Sequence, residues 1–189
     1  QTLVFAGGMG WYPNRDAMQW FCASILPRIL HHIPTATIDI IGPQPPAELY
    51  EAARGNPAIR VRGFVPDARE VIAPAAVYVV PLRVGGGTRM KILDAFAMGK
   101  AVVSTSIGAE GLEVTNGKDI VLADTEDAFA DAVVKVITNP TLRDHLGRAA
   151  RQTVQSTYSW EVIGRDLRKV YESLIPRHRV LFPGKSQSA

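Results

Sequence analysis

The fold of this chain follows from one stretch, Val77-Tyr-Val-Val-Pro-Leu-Arg-Val-Gly-Gly-Gly-Thr-Arg-Met-Lys-Ile-Leu-Asp-Ala-Phe-Ala-Met-Gly99. Its first four residues form an apolar run that predicts a buried strand, which stops at Pro81. Three glycines follow. Thr88 then opens a predicted helix, because the apolar residues after it recur at helical spacing. The stretch therefore predicts a strand, a glycine loop and a helix.

This arrangement suits an anion, and a phosphate above all. Glycines let the backbone approach a ligand, and the first turn of a helix offers unpaired N–H groups at the positive end of its dipole. Arg89 and Lys91 add two positive charges to that turn, where the dipole favours acids. The same pattern also fits a flexible surface turn followed by a solvated helix face. Spacing alone leaves both interpretations open.

Two common nucleotide motifs are absent from the sequence. The last glycine is followed directly by Thr88, and no Gly-Lys-Ser/Thr occurs there, so this is not a P-loop. After the first predicted strand, the spacing from Gly8 is Gly-x-Gly-x-x-Pro. The acid of the second strand, Asp39, lies inside that strand rather than at its end. Both observations disfavour a nicotinamide or flavin enzyme.

The composition is that of an ordinary globular domain. Of the 189 residues, 47% are hydrophobic and 21% are charged. The single cysteine, Cys22, excludes an internal disulfide and is predicted to lie in a helix core. The net charge of +3 mildly favours anionic ligands or an anionic membrane face, and is too small to indicate nucleic acid. With no signal peptide and no long apolar run, we expect a cytoplasmic chain, with the inner face of the membrane as an alternative.

Strands and helices alternate about six times along the chain. Asn14 is predicted to cap a helix at 15–31 that Pro27 kinks, and Asp67 to cap a helix at 68–72. A last short strand is predicted at 119–123, followed by helices at 126–138 and 140–157. The strands are too apolar to have one solvated face. This pattern predicts an α/β fold, a Rossmann-like doubly wound parallel sheet of about six strands. We assign 1–175 to one domain and 176–189 to a tail without periodicity that we expect to be disordered.

The segment 85–105, from the three glycines through Asp94 to Val-Val-Ser-Thr, resembles the donor-binding segment of the retaining family 4 (group 1) glycosyltransferases. Further family markers follow in the expected order: Phe5-Ala-Gly-Gly, Ile41-Gly42, Val61-Arg-Gly-Phe-Val-Pro-Asp67, Gly108-Ala-Glu-Gly-Leu112 and Tyr158-Ser-Trp160. The resemblance covers about 2–175. It implies the GT-B fold, in which two such domains face a cleft, with this chain as the C-terminal, nucleotide-sugar-binding half.

The resemblance also implies roles for individual residues. Asp94 matches the second glutamate of the family motif, which takes the ribose hydroxyls of the nucleotide. The loop after the third strand carries the nucleobase contacts in that family. The donor-binding candidates are Gly7, Gly8, Arg62, Phe64, Val65, Gly85, Gly86, Gly87, Thr88 and Asp94. For the side chains of Phe64 and Val65 we expect packing under the edge of the sheet.

The chain departs from the family pattern at several positions. The first motif glutamate, which touches the sugar ring in relatives, is replaced by Gly86, and the early basic pair falls on Gly8 and Pro13. Our hypothesis is that Arg89 and Lys91 have taken over the neutralisation of the diphosphate. They would then be the catalytic residues and would stabilise the leaving group as charge develops on it.

These departures leave two alternatives open. One is a non-catalytic nucleotide- or sugar-binding module that kept the fold. The other is a sugar-nucleotide 2-epimerase, which would need acids and a histidine in the cleft, whereas the four histidines fall in predicted helices or in the tail.

We expect no metal and no cofactor beyond the donor substrate, a UDP- or GDP-sugar. The implied partner is an N-terminal acceptor-binding domain, which this chain lacks. The implied pathway is polysaccharide or glycoconjugate synthesis, with peripheral membrane association of the full protein. The sugar, the nucleobase, the acceptor and the oligomeric state stay open.

Overall fold

A computed structural model describes residues 1–174 of the chain. Its six strands are β1 (Thr2–Ala6), β2 (Thr37–Ile41), β3 (Ile59–Gly63), β4 (Val77–Val80), β5 (Val102–Ser104) and β6 (Val121–Leu122). They form one sheet in the order β3-β2-β1-β4-β5-β6, and every neighbouring pair is parallel. This is the doubly wound Rossmann order, so the predicted fold class is confirmed.

Helices follow each of the first four strands, and three further helices follow the last strand. They are α1 (Tyr12–Trp20), α2 (Leu26–His32), α3 (Ala47–Gly55), α4 (Ala68–Ile72), α5 (Met90–Ala97), α6 (Glu126–Thr138), α7 (Pro140–Thr157) and α8 (Trp160–Leu174). A π-helical turn, Phe21–Ile25, joins α1 to α2. Among these helices, none combines the length and the apolarity that crossing a bilayer requires.

The central strands are covered on both faces, as their apolar sequences predict. All four residues of β4 are buried, and so are the middle residues of β1. Trp20 and Phe21 pack edge to face against Phe129 of α6, with ring centroids 6.5 and 6.1 Å apart. Cys22 lies in this core, as predicted, and burial raises the pKa of its thiol to about 12.

The first helix differs from its prediction at both ends. It begins at Tyr12, so Asn14 is a buried first-turn residue and not the N-cap. Its continuity is broken where a kink was predicted, since the π-helical turn ends immediately before the helix that carries Pro27 in its first turn. Proline cannot donate a backbone hydrogen bond to the preceding turn, which explains the change of helical register.

Two further boundaries were wrong. α5 begins at Met90 rather than at Thr88, because Arg89 has a non-helical backbone with φ −83° and ψ 50°. The last strand contains two residues rather than the predicted five, and Asn116 and Ile120 form only an isolated bridge beside it. The helices α4, α6 and α7 have their predicted bounds, and Asp67 caps α4 by accepting from the Arg69 amide. The predicted domain end at 175 and the tail 176–189 lie outside the described residues.

The order of the strands places a crevice between β1 and β4. The chain leaves these two neighbours toward opposite sides of the sheet, so their carboxyl ends leave an opening at this switch point. The loop after β1 begins at Gly7, and the connection from β4 to α5 contains Gly85, Gly86 and Gly87. Sequence segments that are some 80 residues apart therefore meet at one edge of the sheet.

The packing of α7 against the turn after α5 gives a test of the fold. A Cβ placed on Gly147 of α7 would lie 2.2 Å from the backbone oxygen of Gly99, whereas one on Gly164 of α8 would meet no atom within 4 Å. We expect Gly147→Ala to lower the free energy of unfolding by about 1–3 kcal/mol through overpacking. Gly164→Ala should leave it unchanged or raise it by up to about 1 kcal/mol, because alanine favours a helix. Urea denaturation measures both, and equal stability of the two variants would contradict this packing.

Candidate functional site

The crevice is closed on one side by backbone hydrogen bonds between the loops that follow β1, β2 and β3. The Gly7 amide donates to the Ile41 carbonyl at 2.9 Å, and the Met9 amide donates to the Pro43 carbonyl at 2.8 Å. The Gly42 amide in turn donates to the Gly63 carbonyl at 2.8 Å. The predicted donor-binding residues Gly7 and Gly8 therefore lie in a loop whose backbone is held by hydrogen bonds to the neighbouring segment after β2.

The glycine loop 85–87 lies across the crevice from Gly7. Gly87 has a positive φ of 87°, a conformation that suits glycine. No atom lies within 4 Å of the position that a Cβ would take on Gly86 or on Gly87, so the backbone there is open to a ligand. With Thr88, these residues form an exposed loop directly before α5. The backbone at 86–87 is therefore accessible, and its contact with a phosphate stays a prediction.

Lys91 connects α5 to the end of β1. Its Nζ donates to Oδ1 of Asn14 at 2.5 Å and lies 4.4 Å from the centroid of the Phe5 ring. The side-chain nitrogen Nδ2 of Asn14 donates to the Gly8 carbonyl at 2.8 Å, so the asparagine links the lysine to the loop after β1. A Cβ on Gly7 would lie 2.7 Å from that amide nitrogen and 3.0 Å from the ammonium. Glycine at position 7 therefore makes room for this contact.

The charge of Lys91 differs from the prediction of a fixed positive charge. Burial, together with the charge of Arg89, lowers the pKa of Lys91 from 10.5 to about 7. Near neutral pH the ammonium is therefore in equilibrium with the free amine. A phosphate bound beside it would favour the charged form, because an opposite charge nearby raises the pKa of a lysine.

Arg89 is more enclosed than the sequence suggests. Its side chain is only 3% exposed. One terminal nitrogen, Nη2, donates to the Gly85 carbonyl and to Oε2 of Glu110, both at 3.1 Å. Its Nε is buried and has no hydrogen-bond partner within residues 1–174. A buried guanidinium with an unused donor retains capacity to bind an anion.

Glu110 is the residue of this site that sequence reasoning missed. It lies in the loop after β5, inside the family marker 108–112. Its side chain is 69% exposed while it pairs with the buried Arg89. The signal was present in Gly108-Ala-Glu-Gly-Leu112, since an acid between glycines in a crevice loop is free to turn toward a cation. Its pairing with Arg89 became visible only in the structure.

Asp94 borders two cavities on either side of α5. The outer cavity, about 770 Å³, has walls from the glycine loop, α5, the Glu110 loop and the start of α8. The inner cavity, about 470 Å³, extends from Gly7 and Lys91 to α4. Burial raises the pKa of the Asp94 carboxyl, and the negative charge of Asp94 contributes to raising the pKa of the buried Tyr78. Among the acids of residues 1–174, Asp94 thus borders both the outer and the inner cavity, and its contact with a ribose stays a prediction.

Two of the predicted base-contact residues, Phe64 and Val65, lie in the loop after β3 and differ in their burial. Phe64 is 73% exposed, so the expectation that it packs under the sheet edge was wrong. Val65 does pack against the core, as expected. Both border a side cavity of about 210 Å³, which also contacts Gly8 and Pro43. An exposed aromatic ring beside an opening can stack on a flat ligand.

Arg62 is held away from these openings by an ion pair. Its Nε donates to Oδ1 of Asp39 at 2.7 Å, while Nη2 of Arg60 donates to the other carboxylate oxygen at 2.9 Å. Asp39 is buried, and the two arginines satisfy its charge. Arg62 borders neither the inner nor the side cavity. Its predicted contact with a nucleobase therefore stays a prediction.

The fold and the crevice define a Rossmann-like α/β domain with a glycine loop, two cations and an acid at its switch point. The family model described as glycosyl transferases group 1 matches residues 1–139. The chain belongs to this family.

Named relatives agree with this assignment. The chain is 30% identical over 181 residues to the phosphatidyl-myo-inositol mannosyltransferase of Mycolicibacterium smegmatis, a match that covers 92% of this chain and 45% of the relative. It is 28% identical over 158 residues to the protein of the same name from Mycobacterium tuberculosis, covering 79% of this chain and 42% of that protein. The chain thus spans less than half the length of these relatives.

Solved structures show the same fold. The UDP and glucose complex of HepE from Anabaena superposes with a TM-score of 0.71 at 15% identity, over 91% of this chain and 48% of HepE. The C-terminal domain of the group 1 glycosyl transferase LpcC from Francisella tularensis gives a TM-score of 0.66 at 19% identity, over 84% of this chain and 86% of that chain. These structures show the shared fold, while the family match and the named relatives favour a glycosyltransferase domain over the binding module and the 2-epimerase.

The altered pKa of Lys91 predicts a pH dependence of stability. Between about pH 7 and pH 10.5 the unfolded chain binds a proton at this site that the folded chain has lost. The free energy of unfolding should therefore rise with pH, by up to about 1.4 kcal/mol per pH unit from this group. Lys91→Met should lack this rise, whereas Lys118→Met, which removes an exposed loop lysine, should keep it.

Urea unfolding of the three proteins across this pH range measures the effect. Other groups that titrate there contribute equally to each protein, so the difference between wild type and Lys91→Met isolates Lys91. A difference that does not change with pH would show that the lysine keeps its ordinary pKa.

Proposed function

We propose that this chain is the nucleotide-sugar-binding half of a retaining glycosyltransferase that transfers a sugar from a UDP- or GDP-sugar to an acceptor. The observation that carries the proposal is the meeting of an open glycine loop, the buried Arg89 and the half-buried Lys91 at the switch point of the sheet. Family membership and the UDP-bound structural neighbours support it.

The cations of the crevice suit a diphosphate leaving group. Breaking the bond between the sugar and the phosphate leaves negative charge on the departing oxygen, and cations already in place stabilise it. Arg89 offers an unused N–H, and its single carboxylate partner, Glu110, is largely exposed. Lys91 regains its proton as an anion arrives. Losing one such cation should cost about 2–4 kcal/mol of transition-state stabilisation.

The inner and side cavities suit the nucleoside. In this proposal Asp94 accepts hydrogen bonds from the ribose hydroxyls, a pairing that a carboxylate makes well. The base lies toward Phe64, whose exposed ring can stack on it. These two residues lie at opposite ends of a continuous wall that includes Gly7 and Ala68. No step in this scheme requires a metal ion.

The acceptor site belongs to a second domain in this proposal. The length of the relatives leaves room for one, because the chain spans 42–45% of the mannosyltransferases described above. α8 presents an uncovered apolar face, with Trp160, Leu167, Tyr171 and Leu174 all more than half exposed. Such a face suits packing against the missing half. We place the full protein in the cytoplasm, at the inner face of the membrane, in the synthesis of a polysaccharide or glycoconjugate.

Nucleotide binding gives the first test. A thermal-shift panel of UDP, GDP and ADP with their sugar conjugates should single out one base. A ligand at a hundred times its dissociation constant adds about 2.7 kcal/mol, which corresponds to a shift of roughly 5–10 °C for a domain of this size. The shift should disappear in Arg89→Met and Asp94→Ala.

Arg83→Met is the matched control for this panel. Arg83 lies in the same connection between β4 and α5, but it pairs with Asp16, with Nε at 3.0 Å from Oδ2. This variant should keep the wild-type shift. If Arg89→Met binds nucleotide as wild type does, the assigned role of Arg89 is wrong.

Catalytic competence gives the second test. We expect this chain alone to bind the nucleotide sugar without transferring the sugar, since the acceptor site is missing. The full-length protein should turn over, and Arg89→Met introduced there should reduce kcat by about 10²–10³-fold. Robust transfer by the 189-residue chain, measured with radiolabelled donor and an added acceptor, would contradict the half-enzyme proposal.

A further inference from the structure

A separate pocket lies at the opposite edge of the sheet from the crevice. Its floor is formed where Ala75 and Ala76 lead into β4 and where Ala101 leads into β5. The first half of α7 forms its wall. The volume is about 380 Å³, which can hold a small molecule or a headgroup. We call it the basic pocket, after the charged residues that line it: Lys100, Arg143, Arg148 and Arg151, with Asp144 as the single acid.

The positive charge of the basic pocket is not balanced by ion pairs. Within residues 1–174, the ion pairs closer than 4 Å involve other arginines and lysines, and none includes these four cations. Asp144 is exposed and makes no such pair with them. A four-to-one excess of cations in one concavity creates a positive potential that attracts an anion.

Two of the cations are positioned by the backbone around the pocket. Nζ of Lys100 donates to the Ala73 carbonyl at 2.7 Å, and Nη1 of Arg143 donates to the Ile137 carbonyl at 3.1 Å. Both side chains are half-buried. Each keeps further N–H donors after these bonds, because an ammonium has three and a guanidinium has five. The pocket therefore holds oriented donors that the protein itself does not use up.

The other two cations are free to close on a ligand. Arg148 and Arg151 are exposed and lie three residues apart on α7, so they share one face of the helix. Close packing of Gly147 against Gly99 fixes α7 relative to the loop that carries Lys100. The backbone positions of the four cations are thus set by packed parts of the fold, and not by a flexible surface segment.

Lys100 and Arg143 repel each other electrostatically, and a bound anion would offset this repulsion. The pKa of Lys100 is lowered by burial and by the charge of Arg143. Two like charges are held close together with no carboxylate between them. Arginine pairs with phosphate oxygens through two parallel hydrogen bonds, which matches the planar donors available here.

We propose that the basic pocket binds a phosphate group, carried either by a soluble phosphate compound or by a lipid headgroup. This site is separate from the crevice, since the two lie at opposite edges of the sheet. It involves none of the residues assigned to the nucleotide sugar.

Site-resolved NMR of the 189-residue chain tests the proposal with inorganic pyrophosphate as the probe. The backbone amides of Gly99, Lys100 and Ala101 should shift on titration. In Arg148→Gln/Arg151→Gln the affinity read from these amides should fall about tenfold or more, because each lost charge-assisted bond is worth roughly one power of ten. Arg54→Gln/Lys118→Gln removes two exposed charges elsewhere and should leave the affinity unchanged.

Vesicle sedimentation distinguishes the two sources of phosphate. For a lipid ligand, the chain should sediment with vesicles of phosphatidylcholine and phosphatidylglycerol but not with phosphatidylcholine alone. The Arg148→Gln/Arg151→Gln variant should lose this sedimentation, and the control variant should keep it. Pyrophosphate shifts without sedimentation indicate a soluble ligand.

The proposal is overturned in either of two cases. In the first, the three amides do not respond to millimolar pyrophosphate and no vesicle sediments the chain. In the second, the pocket variant and the control variant respond alike. Because Met98, next to Gly99, also borders the inner cavity, the comparison of the pocket variant with the control variant separates binding in the basic pocket from binding in the crevice.

Discussion

Lys91 contacts Asn14 and Phe5 at the switch point between β1 and β4, and these contacts link the two halves of the sheet. The lysine belongs to the helix after β4, and the asparagine belongs to the helix after β1. The asparagine can hold both the lysine and the Gly8 carbonyl because it is buried in the first turn of α1. Glycine at position 7 is required by the same contact, since any side chain there would displace one of the two partners.

This contact places a titratable cation under the glycine loop. An ammonium packed against an aromatic ring and beside a guanidinium loses hydration, so its pKa falls toward neutrality. Arg89 meets the same condition differently, since a guanidinium stays charged and takes Glu110 as its counter-ion. The crevice thus contains one permanent and one conditional positive charge. A bound diphosphate would pair with Arg89 and would favour the protonated form of Lys91.

α7 borders both the outer cavity and the basic pocket, which lie at opposite edges of the sheet. The end of this helix, with Val154 and Tyr158, borders the outer cavity, whereas its first half borders the basic pocket. Cations exceed acids four to one in the basic pocket, although the chain as a whole carries a net charge of only +3. The fold therefore concentrates positive charge in this pocket. This concentration is not visible as a run of basic residues in the sequence.

What the sequence determined by itself is the succession of elements and the family. Apolar runs as long as a strand and apolar residues at helical spacing are local signals, and they predicted the strands around Val77–Val80 and the helices Glu126–Thr138 and Pro140–Thr157 correctly. The start of α5 and the length of β6 were wrong, because the backbone conformations of Arg89 and of 116–120 are not encoded in helical spacing or in an apolar run.

The tertiary structure alone decided which charges are buried, which are paired and which are left over. Arg89 and Glu110 are 21 residues apart, and Lys91 and Asn14 are 77 apart, so neither pairing follows from any spacing. Phe64 was expected to be covered because it is apolar, but no segment of residues 1–174 covers it. Burial and pKa depend on distances between remote segments. Those distances exist only once the sheet has assembled.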